Sequence, residues 1–139
     1  MSVLVDSGVF VALHNTRDEN HETAKKLITM IASGEMGTAY TSDYVFDEAV
    51  TVTLKRTGKA DVALRVGRMI LGERPVPFLV VLRVAEDVFK SSWVLFQKYS
   101  ERGLSFTDCT SIALIEMREM HSIVSFDSGF DGIVPRIAS

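Results

Sequence analysis

Four short apolar runs alternate along this chain with longer stretches of helical spacing, and this alternation restricts the fold more than any other feature. The runs are residues 3–5, 38–41, 78–81 and 123–125. Strands joined through helices pair in parallel, because each crossover returns the chain to the same edge of the sheet. The expected fold is therefore α/β. It is a three-layer α/β/α sandwich around a mostly parallel central sheet, built as a single domain over residues 1–139.

The helices carry their own signals. Ala24, Leu27, Ile28 and Ile31 fall at i, i+3, i+4 and i+7, and Gly34 stands where a C-cap is needed. Ser42 is placed to cap a helix with Val45, Ala49 and Val52 on one face, closed by Gly58. Further helices are predicted over 60–71, 86–99 and 106–120, and Ser7 is the expected cap of a helical turn over 9–14. Residues 76–82, entered through the segment 75–77, read as a buried strand. The tail 133–137 reads as a short edge strand whose pairing Pro135 limits.

Composition narrows the setting. With 47% hydrophobic residues, 24% charged and three prolines, the chain is globular rather than disordered. Its longest uncharged apolar stretch stops at Arg83, too short to span a bilayer, and Asp6 interrupts the segment a signal peptide would need. No membrane association and a cytoplasmic location are expected. A single cysteine, Cys109, excludes an internal disulfide and a zinc site of several thiolates. Beside Asp108 on a helix, it reads as a small buried hydrophobe.

The chemistry lies in acids at one edge of the sheet. In GLSFTDCTSIALIEMREMHSIVSFD, residues 103–127, Ser105 and Asp108 fit a capping pattern that puts Asp108 in a helix's first turn, and Asp127 follows the next strand. In a parallel sheet the carboxyl ends of strands and the starts of the helices that follow share an edge, where ligands bind. Asp6, after the first strand, belongs to the same edge. Glu48, near the start of the helix after the second strand, joins it. Converging carboxylates repel one another unless a cation offsets them, and oxygen-only ligation suits Mg2+ or Mn2+ rather than zinc. The net charge of −3 and pI near 5.6 argue weakly against a nucleic-acid partner, since removing the four acids' charges turns −3 into +1.

The segments VLVDSGVFVAL, TSDYVFDEAVTVTLKR, LSFTDCTSIALIEM and IVSFDSGFDGI, in that order, resemble those of the PIN-domain ribonucleases, in particular the VapC-like toxins of prokaryotic toxin–antitoxin pairs. The resemblance spans nearly the whole chain and rests on order and spacing, since no single motif is specific. It implies a PIN-like central sheet and an Mg2+- or Mn2+-dependent endoribonuclease. It carries the catalytic and metal-binding acids onto Asp6, Glu48, Asp108 and Asp127. It also carries a supporting small hydroxyl residue onto Ser125, two positions before the last acid. The implied partners are a tRNA, rRNA or mRNA substrate, a small antitoxin protein and a second copy in a homodimer.

Other readings compete with this one. An RNA-processing nuclease of the same family and a PIN-like scaffold without catalysis share all these features. A haloacid-dehalogenase-like phosphatase would need an Asp two residues after Asp6, where Gly8 stands. Three scattered histidines make no triad with Ser7 or Cys109. Asp43 reads as part of a capping turn, Asp47 points away from Glu48, and Asp131 is a surface charge. Lys55, Arg56 and Lys59, with Arg65 and Arg68, are candidate RNA contacts on a face that would otherwise only be solvated, and Lys55 lies about 10.5 Å beyond Glu48 on the same side of the helix. The stripe Phe89, Trp93 and Phe96 reads as core or subunit interface rather than a base-stacking surface, with 62–70 as a second contact region.

Overall fold

The computed structural model describes residues 1–73 and 78–139. In chain order its elements are β1 (Ser2–Val5), α1 (Ser7–His14), α2 (His21–Ala32), β2 (Thr38–Ser42), α3 (Asp43–Thr57), α4 (Ala60–Ile70), β3 (Leu79–Leu82), α5 (Glu86–Tyr99), α6 (Phe106–Met117), β4 (Ser122–Val124) and β5 (Arg136–Ile137). All five strands are parallel, in the order β3-β2-β1-β4-β5. The chain builds outward from β1 through β2 to β3, then crosses back to lay β4 on the other side of β1. The order therefore reverses between β1 and β4, and the crevice beyond their carboxyl ends is where such sheets hold ligands.

Strand alternation sets the layers. Val3 and Val5 face one core with Phe10 of α1, Leu27 of α2, Val45 of α3 and Ile70 of α4. Leu4 and Ile123 face the other, with Val88 of α5, Ile112 and Leu114 of α6, and Phe130. Each strand residue so buried contributes roughly 1.5–3 kcal/mol. The central strands are consequently buried on both faces, and β1 is fixed in register by Leu4 opposite both Tyr40 and Ile123. Among the described residues no helix is long and apolar enough to cross a membrane.

Three expectations change. The stretch 76–82 is not a buried strand: β3 begins at Leu79 and lies at the sheet edge with Val80 46% exposed, while residues 74–77, and with them the segment 75–77, lie outside the described residues. A continuous apolar run does not distinguish an edge strand from a central one. The cap of α1 is Asp6, not Ser7; its carboxylate accepts the Ser7 N–H at 2.8 Å and the helix begins earlier than the turn over 9–14. Helix α6 stops at Met117 instead of 120, because Glu119 adopts a left-handed φ of 53°. The Met120 N–H then bonds the Ile115 carbonyl at 2.9 Å, a Schellman closure usually signalled by glycine. In α4, Val62, Ala63, Val66, Met69 and Ile70 turn inward, while Leu64 is 55% exposed.

Candidate functional site

Each acid is positioned by an element end. Asp6 extends the β1–β4 ladder, its N–H bonding the Val124 carbonyl at 3.0 Å, and its side chain then caps α1. Asp108 is the third residue of α6 in a complete capping box: the Ser105 hydroxyl accepts the Asp108 N–H at 3.0 Å, and the Asp108 carboxylate accepts the Ser105 N–H at 2.9 Å. Glu48 comes from the second turn of α3, itself capped by Ser42 as its sequence signals. Asp127 follows β4 and caps a short 3-10 turn, accepting the Gly129 N–H at 2.8 Å. A Cβ at position 129 would stand 2.9 Å from the Asp127 carboxylate and 3.0 Å from Leu104 Cδ2, so any larger residue there would displace the rim acid or its neighbour.

Three of the four acids converge. One carboxylate oxygen from each of Asp6, Glu48 and Asp108 lies within 4.8 Å of the others, a spacing that fits one hard cation held by oxygen alone. Asp127 stands outside this trio. It is exposed at the rim of the same cavity, of about 350 Å³, which Asp18, Asn20, Arg56 and Ser105 also line.

Serines hold the trio in place. The Ser125 hydroxyl donates to Asp6 Oδ2 at 2.6 Å while accepting the Asp127 N–H at 3.0 Å, so it ties the central acid to the rim acid. The Ser7 hydroxyl donates to Glu48 Oε1. Ser105 performs the same service for Asp108 through its N–H. These bonds fix orientation while Glu48 Oε2 and Asp108 Oδ1 face no other hydrogen-bond donor among the described residues.

Electrostatics mark the trio as a site that needs positive charge. Burial, opposed by the Ser125 hydrogen bond and reinforced by the Asp108 charge, pushes the Asp6 carboxyl up to about 7. Burial also raises Asp108, helped by the charges of Glu48 and Asp127 against the Ser105 bonds. Cys109, buried behind Asp108, is raised to about 11 by burial and by that neighbour, which leaves it an inert packing group.

Of the candidate cations on α3, Arg56 and not Lys55 lines the acid cavity. The structure also adds residues that the local patterns do not single out. Asp18 and Asn20 come from a loop whose polar composition carries no sign of a role. Ser7 serves Glu48 across the site, a partnership no local spacing could reveal. Asp43 ties α3 to the loop after β3, accepting the N–H of Val84 at 3.0 Å, and Asp131 is paired with Arg136 at 2.7 Å; neither enters the cavity.

Comparison with known proteins gives consistent matches. The family model for the PIN domain matches residues 3–134. The 23S rRNA-specific endonuclease VapC20 of Mycobacterium tuberculosis is 30% identical over 129 residues, covering 92% of this chain and 91% of that protein. A VapC ribonuclease of Archaeoglobus fulgidus is 26% identical over 131 residues, covering 94% and 80%. Among solved structures, that of Mycobacterium tuberculosis VapC20, described as a Sarcin-Ricin loop cleaving toxin, superposes with a TM-score of 0.78 at 27% identity over 92% of each chain. A toxin–antitoxin complex from Klebsiella pneumoniae shares the fold at a TM-score of 0.66 and 15% identity, covering 97% of this chain and 95% of that one.

Proposed function

Because the chain belongs to the PIN-domain family, we propose that it is a divalent-metal-dependent endoribonuclease, the toxin of a toxin–antitoxin pair, with Asp6, Glu48, Asp108 and Asp127 as its site. The observation that carries this reading is the convergence of three carboxylates from separate elements within 4.8 Å. Asp6, Glu48 and Asp108 would hold Mg2+ or Mn2+, and Asp127 acts from the rim, next to where the substrate enters. When bound, such an ion stabilises the charge that develops on the oxygens of a phosphodiester undergoing displacement. The chain's own part is preorganisation. Ser125, Ser7 and Ser105 hold the three carboxylates in fixed rotamers, so no reorientation is required as the ion and the RNA arrive.

The mycobacterial relative is named for acting on 23S rRNA, which makes ribosomal RNA the first substrate to try here. In this reading the partner is a small antitoxin protein and the setting is the cytoplasm. Purified protein, stripped of any antitoxin under denaturing conditions and refolded, should cut total RNA with Mg2+ or Mn2+ and not with chelator. Intact RNA under every metal condition would overturn the reading.

A homodimer belongs to the same proposal. Phe89, Trp93 and Val94 of α5 are 48%, 53% and 65% exposed, an apolar face wide enough to serve as a contact. Light scattering is expected to give twice 15.4 kDa at micromolar concentration, and a single-chain mass at high concentration would contradict it.

A further inference from the structure

A second polar cleft, of about 480 Å³, opens beside the acid cavity, between the end of α1 and the junction of α3 with α4. Four of its lining residues are cations: Arg17, Arg56, Lys59 and Arg65. Arg56 lines both cavities and is the single cation among the acid cavity's lining residues. It lies eight residues after Glu48 on α3, about 12 Å along the axis, but helical side chains lean toward the N-terminus, which lets its side chain line the acid cavity. Arg56 is therefore the point where the two cavities meet.

Ion pairing does not account for these cations. Among the described residues Arg17, Arg56 and Lys59 form no salt bridge, and Arg65 reaches Asp61 at only 3.9 Å on an exposed helix face. Helix dipole compensation accounts for Arg56 in the last turn of α3, yet it does not apply to Lys59, which sits at the N-terminal end of α4. The opposite flank differs. There Arg102 is committed to the carbonyls of Gly129 and Asp131 at 2.7 and 2.9 Å, and Arg136 is paired with Asp131. Among the described residues that line the two cavities, the cations without a close ion pair thus lie on the side of the second cleft.

We propose that the cleft lined by Arg17, Arg56, Lys59 and Arg65 holds the phosphodiester backbone of the RNA on one side of the bond cut at the acid cluster. The inference rests on the nuclease reading for its substrate class. Guanidinium groups match phosphate oxygens in a forked geometry, and the ammonium of Lys59 adds a point charge. The lining contains no Phe, Tyr or Trp, its one aromatic ring is the His14 imidazole, and its apolar residues are Leu13 and Val62. Its four cations act on phosphates, contacts that position the strand and carry no sequence information themselves. These are positioning residues, whose loss weakens binding more than turnover.

The test compares two triple variants of equal charge. Arg17→Gln, Lys59→Gln and Arg65→Gln empty the cleft, while Lys25→Gln, Lys90→Gln and Lys98→Gln remove three exposed cations elsewhere. Binding of a fluorescein-labelled, unstructured 20-nucleotide RNA is measured in chelator across a salt series, with melts to confirm folding and Lys59→Gln alone as a milder variant. The cleft variant should bind at least tenfold more weakly in 0.1 M salt and lose about 2 from the slope of log affinity against log salt, at about 0.7 per phosphate contact on a single strand. The control should change less than twofold. Equal weakening by both triples overturns the cleft. With metal, the cleft variant should raise KM at least tenfold and move kcat less than threefold. Trimming the substrate from each end should raise KM from one end only; equal loss from both ends overturns the one-sided path. If wild type cleaves and the cleft variant keeps its KM, the cleft fails and the nuclease reading stands. If nothing is cleaved but the cleft still accounts for RNA binding, the nuclease reading fails and the cleft stands.

Discussion

Replacing Asp6 by Asn is expected to lower metal-dependent RNA cleavage at least about 1,000-fold, equivalent to about 4 kcal/mol of transition-state stabilisation, while the protein still folds. Asp6 does structural work as well as chemical work, so the outcome depends on what Asn can replace. Its side chain accepts the Ser7 N–H at 2.8 Å and the Ser125 hydroxyl at 2.6 Å. Asn keeps an oxygen for the Ser7 N–H, which preserves the α1 cap. Its amide can donate to the Ser125 oxygen, which already accepts the Asp127 N–H and has a second lone pair. What Asn lacks is the anionic oxygen a hard cation requires. Asp131→Asn is the matched control, since that acid is exposed, paired with Arg136 and outside the trio. Cleavage rates and circular dichroism on the three proteins decide the matter. Undiminished cleavage by the Asp6→Asn variant removes Asp6 from the chemistry, and a collapsed fold would mean the cap, not the charge, is its main role.

The sequence made the edge legible and left the interior of the site obscure. Asp6, Glu48 and Asp108 could be placed because each follows from a local rule: a strand that ends, a helix that begins, a capping box whose partners stand three positions apart. Those rules act within a few residues. The bond from Ser7 to Glu48 joins positions 41 apart, and the one from Ser125 to Asp6 spans 119; neither has a local signature. Asp127 shows the limit from the other side. Its place after β4 was correct, but the Asx turn with Gly129 directs it to the rim rather than into the trio. Helical geometry also misled at the cation. Lys55 lies nearer the Glu48 meridian, yet Arg56 has the reach and the direction to enter the cavity. The end of α6 was missed because Glu119 takes a conformation that L residues seldom adopt, supported by Met120 closing onto Ile115 in the core.

Without metal, the protein should lose stability as pH rises from about 4 to about 7, and divalent metal should restore it. The sign follows from Asp6, whose carboxyl sits at about 7 in the fold against an ordinary 3.8. Between those values the folded chain keeps a proton that the unfolded chain has released, so raising pH favours unfolding. Below the lower value both states are protonated and the stability is fully present; above the upper value both are ionised and the loss is complete. The total is on the order of 4 kcal/mol from Asp6. Asp108, raised chiefly by burial, adds to it with the same sign. A cation among the trio removes the cause, but it competes with the proton, so its effect should be larger at pH 8 than at pH 6. At 100 times its dissociation constant it contributes about 2.7 kcal/mol, or roughly 8–12 °C in a chain of this size. Glu48→Gln and Asp108→Asn should each begin as stable as the wild type or more so at pH 8, since a repelling charge is gone, and gain less from metal, since a ligand is gone with it. Melts of the three proteins with Mn2+ and with chelator, at pH 6 and pH 8, test both halves of the argument. A metal-free stability that is flat across this range would show Asp6 already compensated by the protein, and an equal metal increment in all three would place the ion somewhere other than among these carboxylates.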